Sequence, residues 1–98
     1  MNIELVVCKL TELSSWLGGL VGYQKMVDEA IKDLLQPDLS GIKLRQLKHT
    51  LSQDVLFHSK CLGDVYAPIY IPKFPGDGTN EAWLNYLKEV EKICQDNL

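Results

Sequence analysis

The stretch DVYAPIYIPKFPGDGT, Asp64–Thr79, decides the fold, because the chain on either side of it carries helical periodicity and it does not. Three of the chain's four prolines, Pro68, Pro72 and Pro75, lie in it. Each fixes φ, removes a backbone donor and turns the preceding residue away from the α region, so the segment is expected to run extended. In an extended run side chains alternate. Tyr66, Pro68, Tyr70, Pro72 and Phe74 then share one side, with Val65, Ala67, Ile69 and Ile71 on the other. The result is a strap with an aromatic face and an aliphatic face, held at the surface because a ladder cannot satisfy its backbone.

Beyond the strap, Gly76-Asp77-Gly78 turns the chain and Thr79 or Asn80 caps a helix over about residues 80–96. That helix buries Trp83, Leu84, Leu87, Val90, Ile93 and Cys94. Before the strap, Leu44, Leu47, Leu51, Val55, His58 and Cys61/Leu62 mark one face of a helix over about 42–62, with Ser40 as its N-cap and Gly63 at its end. Further back, Tyr23, Met26, Val27, Ala30, Ile31, Leu34 and Leu35 make an amphipathic helix over about 23–36, stopped by Pro37. The first segment spaces Ile3, Val6, Leu10, Leu13, Leu17 and Leu20 by three and four, with Val7 and Trp16 widening the stripe, so a helix covers about 3–20. Thr11, Ser14 and Ser15 lower its propensity, and Gly18, Gly19 and Gly22 mark a turn or a close helix corner. Four amphipathic helices and one crossing strap predict an all-α, four-helix bundle-like single domain over 1–98, about 60–70% helical. The rival is an α+β arrangement in which the strap pairs with residues 2–8.

The totals fit that reading. The chain has 98 residues, 46% hydrophobic and 23% charged, which is enough for one core and too apolar for disorder. No apolar run approaches the ~20 residues that span a bilayer, and Met1–Leu10 has no secretory pattern, so a cytoplasmic protein is expected. Cys8, Cys61 and Cys94 form no CxxC pair, and an odd count argues for buried, reduced thiols over a disulfide framework. The net charge of −3 is unevenly spread. Residues 1–40 and 64–98 each carry −3, whereas 41–63 carry +3 from Lys43, Arg45, Lys48 and Lys60 against Asp54. A basic middle between acidic ends suits an internally complementary bundle better than a nucleic-acid binder.

Few residues suggest chemistry. His58 and Cys61, with Cys8 or Cys94, would make a metal site, but strong zinc signatures have two short-spaced pairs and this chain has one. The same two residues with Asp64 would make a Cys-His-Asp set, but no glycine-bounded elbow surrounds Cys61. Gly18-Gly19-x-x-Gly22 lacks the strand and Lys-Ser/Thr of a phosphate loop, and Gly76-Asp77-Gly78 lacks the acidic ligands of a calcium loop. Arg45, Lys48 and His49 form a small basic patch, read first as a face salt-bridged to the acidic helices.

The order Asp64, Tyr66, Tyr70-Ile71-Pro72, a short acidic glycine turn and an amphipathic helix resembles the tyrosine-proline segment and last helix of the small acidic immunity proteins that inhibit nuclease bacteriocins. The resemblance covers about a third of the chain. It departs from that pattern at Ile71, which separates tyrosine from proline, and at the extra Pro68, and it carries over no site residue. The expected function is therefore a non-catalytic protein-binding module with no cofactor or metal: an inhibitor, an immunity protein or an adaptor. Tyr66, Tyr70 and Phe74 are the expected partner-binding residues, beside Phe57 and Lys60 of the third helix; the alternative is that the aromatic side of the strap packs inward and its aliphatic side is partly exposed, since both sets are apolar enough to bury. A homodimer is a further expectation, because Trp16 beside Gly18 and Gly19 permits close approach of a second copy. The alternatives are a nucleic-acid-associated protein using Lys43, Arg45, Lys48 and His49, or a Cys/His metal or thiol module.

Overall fold

The computed structural model describes residues 2–56, 62–76 and 79–98. Helix α1, Ile3–Trp16, starts where the Asn2 side chain accepts the Leu5 N–H at 3.0 Å, satisfying one of the free donors of a first turn. It ends four residues before the apolar spacing does. The Leu17 N–H bonds the Ser14 carbonyl, the Leu20 N–H bonds the Leu17 carbonyl at 2.8 Å, and the chain turns over Gly18-Gly19. A Cβ on Gly19 would stand 3.4 Å from the Tyr70 carbonyl oxygen, so the small residue is what lets the strap approach this corner.

Helix α2, Val21–Leu34, stops ahead of Pro37, as the spacing predicts, and leaves Leu35 exposed beyond its end. Helix α3, Gly41–Thr50, has the expected cap: Ser40 Oγ accepts the Lys43 N–H at 3.1 Å. It then changes character. Leu51–Leu56 is a π-helical turn instead of more α-helix, a change that hydrophobic spacing does not encode, because Leu44, Leu47 and Leu51 fit both. A short 3₁₀ turn, Leu62–Asp64, follows, and then helix α4, Ala67–Tyr70. Helix α5, Asn80–Asn97, completes the chain behind Thr79, which is its N-cap by backbone (φ −108°, ψ 157°).

The apolar stripes read from the sequence become the core. Val6, Leu10 and Leu13 of α1, with Leu17 just past its end, meet Val27, Ala30 and Leu34 of α2, then Leu44, Leu47 and Leu51, and Trp83, Leu87, Val90 and Cys94 of α5. Helix α1 packs on both α2 and α5, and the π turn bridges α2 and α5. The molecule measures 40 × 22 × 22 Å, about two helix diameters across its short axes. Ser14, a weak helix former read as a cost, earns its place by joining two helices. Its Oγ donates to Asp28 Oδ1 at 2.5 Å, and its carbonyl accepts the Gln24 side-chain amide at 2.9 Å.

The domain is all-α. Of the described residues 76% are helical and none is in a strand, which removes the α+β rival, since residues 3–8 belong to α1. Part of the strap is itself helical, in α4, which the sequence expectation did not include. No helix among the described residues is long and apolar enough to cross a membrane.

Candidate interaction surface

The extended strap is the main correction. Pro68 sits in the first turn of α4, where a missing N–H costs nothing, and its fixed φ suits a helix. The turn is closed by the Tyr70 N–H on the Tyr66 carbonyl at 3.0 Å and the Ile71 N–H on the Ala67 carbonyl at 2.8 Å. The exposed first donor is answered from another element: Asn80 Oδ1, at the start of α5, accepts the Ala67 N–H at 2.9 Å. Pro72 then prevents continuation.

A helical turn sorts side chains by three and four, not by two, so both predicted faces are split. Ala67 and Ile71, four apart, are buried. Ile69 belongs to the predicted inner face and is 66% exposed, whereas Phe74 belongs to the predicted outer face and is partly buried against the core. Tyr66 and Tyr70 do point outward, at 50% and 56% exposure. Phe57 and Lys60, expected beside them, lie outside the described residues, as do His58 and Cys61.

Phe74 faces inward because an aromatic cluster is waiting for it. Its ring lies 5.2 Å from Trp16, 5.2 Å from Trp83 and 5.5 Å from Tyr86, mostly edge to face. Trp83 is fully buried and donates its indole N–H to the Leu62 carbonyl at 3.0 Å, which ties α5 to the 3₁₀ turn that leads into the strap. Tyr86, also buried, was not in the predicted core. Its hydroxyl donates to Glu12 Oε1 at 2.9 Å, and Lys9 Nζ lies 3.3 Å from that same oxygen and 3.4 Å from Glu89 Oε1. Lys9 also stands 5.4 Å from the Tyr86 ring centroid. Burial first, then the hydrogen bond to Glu12, pushes the Tyr86 hydroxyl well above the usual tyrosine range. For Lys9, burial works downward but is outweighed by Glu12 and Glu89, which hold its ammonium above the usual value. The signal in the sequence was an i, i+3 Lys9/Glu12 pair and a tyrosine one step off the α5 stripe.

Because Trp16 is spent on Phe74 and Tyr86, and Gly19 on Tyr70, the residues that suggested a second copy are engaged within the chain. Cys94 is buried, as expected, but Cys8 is exposed, against the expectation of buried thiols. Among the described residues, no three His, Cys, Asp or Glu side chains gather at one point.

The outcome is a compact exposed patch. Seven large apolar side chains are exposed among the described residues, and three of them, Tyr66, Ile69 and Tyr70, fall within five positions on α4 and its N-cap. Beside α4, a groove of about 280 Å³ runs between Ala67, Pro68, Ile71, Pro72, Phe74 and the start of α5. The corner at Gly18-Gly19 borders the same end of the molecule, where Lys73 Nζ would lie 3.9 Å from a Cβ on Gly18. Comparison with known protein families, with curated proteins and with solved structures returns no match.

Proposed function

We propose that this chain is a non-catalytic protein-binding module, an inhibitor or adaptor, whose contact surface is the outer side of α4. The observation that supports the reading is the exposure of Tyr66, Ile69 and Tyr70 on a turn whose other side, Ala67 and Ile71, is buried. A turn clamped by Pro68 and Pro72 and bolted below by Phe74 loses little entropy on docking, so its exposed rings offer binding energy at low ordering cost. Tyrosines on such a base are typical anchors of an interface. The occupant is a different protein, with an apolar pocket able to take a tyrosine ring. The interface works in the cytoplasm, where exposed Cys8 stays reduced.

The test uses the full chain immobilised in native cell extract, beside Tyr66→Ala and Tyr70→Ala variants. A protein retained by the parent chain is then titrated against all three. The expected result is weakening of roughly 2 kcal/mol or more in each variant with an unchanged melt. Equal affinity for all three would refute the assignment. Light scattering on the free chain separates this reading from a second copy as occupant: a particle of 11.1 kDa supports a foreign partner, and twice that mass supports self-association.

A further inference from the structure

Arg45, Lys48, His49 and Ser52 follow one another by three, one and three positions, which brings them onto one side of α3 as it runs into the π turn. With Gln53 and with Gln95 from the last turn of α5 they line a groove of about 270 Å³. The sequence suggested that these cations would be consumed by acidic helices. Lys43 is: it lies 3.4 Å from Asp33 of α2. Among the described residues, Arg45, Lys48 and His49 have no ion pair and no side-chain hydrogen bond. Three cationic or protonatable side chains therefore face one groove uncompensated, in the stretch that carries +3 within a chain of −3.

We propose that this groove binds a single phosphate monoester carried on a small organic body. The donors decide the class of anion. The Arg45 fork, the Lys48 ammonium, a His49 ring N–H, the Ser52 hydroxyl and the Gln95 amide supply more bonds than a carboxylate's two oxygens accept. The three oxygens of a phosphate monoester accept them all. A dianion also matches Arg45 and Lys48 in charge. The size of the groove limits the body, because it falls just short of the ~300–1,000 Å³ of sites that enclose drug-sized ligands. A nucleic-acid strand is the poorer fit. It presents charge after charge along its length and calls for a stripe of cations, whereas Lys43 of the same helix stands on the opposite face, against Asp33 of α2. The site also lies at a π-helical turn, an irregularity that is frequent at functional sites.

Phenyl phosphate, inorganic phosphate and a single-stranded oligonucleotide are titrated into the ¹⁵N-labelled full chain, followed by amide chemical shifts. Saturable shifts confined to residues 45–53 and the Gln95 side chain are expected with phenyl phosphate. Weaker binding of inorganic phosphate supports the organic body, and equal binding would overturn it in favour of free phosphate. Arg45→Gln and Lys48→Gln should each weaken binding about tenfold or more, Gln95→Glu should abolish it, and Lys25→Gln on α2 should leave it unchanged. These side chains lie at the surface, so the variants keep the fold. The proposal is overturned by an Arg45→Gln variant with parental affinity, by shifts spread over lysines across the surface, or by an oligonucleotide that binds more tightly than phenyl phosphate.

Discussion

Tyr86 shows how much one buried hydroxyl organises. It joins α5 to α1 through Glu12, and Lys9 bridges Glu12 to Glu89 across the same seam. Tyr86→Phe keeps the ring contacts and removes only that bond. Because Glu12 remains partly solvated, the expected cost in urea unfolding is about 1 kcal/mol, and a loss above ~3 kcal/mol would mean the ring itself had moved. Cys94 supplies a pH dependence. Burial, with Glu91 adding its charge, pushes its thiol up to about 11 from an ordinary 9.0. A proton held more tightly in the folded chain stabilises it below the unfolded pKa, and that contribution is lost as pH rises through the folded one. Tyr86 has the same sign. Melting temperature should therefore fall as pH is raised from about 9 to 11, less steeply in Cys94→Ala, and an equal slope in both would exclude Cys94 as a source. The same burial predicts order of reactivity: peptide mapping after limited alkylation should find exposed Cys8 modified well before Cys94.

At the scale of elements, the strap separates what was legible from what was not. The amphipathic stripes of α1, α2 and α5 follow from spacing, since one side of each is apolar enough to bury without reference to anything distant. Caps such as Ser40 were legible for the same reason: the rule is local. The strap is not local. Its prolines exclude a long helix but leave a single turn open, and that turn forms because Asn80, thirteen residues on, takes the Ala67 N–H. Phe74 likewise turns inward because Trp16 and Trp83 from two other helices leave a slot for it. Gly76 reports on that slot. A Cβ there would lie 2.7 Å from the Phe74 ring, which three aromatic neighbours hold in place. Gly76→Ala should therefore destabilise by roughly 1–3 kcal/mol in denaturant unfolding, as overpacking does, whereas Gly22→Ala, with open space around it, should not.

Over the whole molecule, the two candidate surfaces belong to different parts of the bundle and draw on different physics. The α4 patch is apolar, and the α3 groove is cationic and polar. The charge blocks that frame the groove were visible in the sequence. That Asp33 would take Lys43 and leave Arg45 and Lys48 without a described partner was not, because pairing depends on how α2 and α3 cross. Two of the strap's three aromatic rings, Tyr70 and Phe74, were expected to share a face, and the fold puts one in solvent and the other against the core. Global unfolding free energies of Tyr70→Ala and Phe74→Ala, measured side by side in urea, test it most directly. Phe74→Ala should lose roughly 3–5 kcal/mol and Tyr70→Ala less than about 1 kcal/mol. Equal losses, or the larger one at Tyr70, would contradict it.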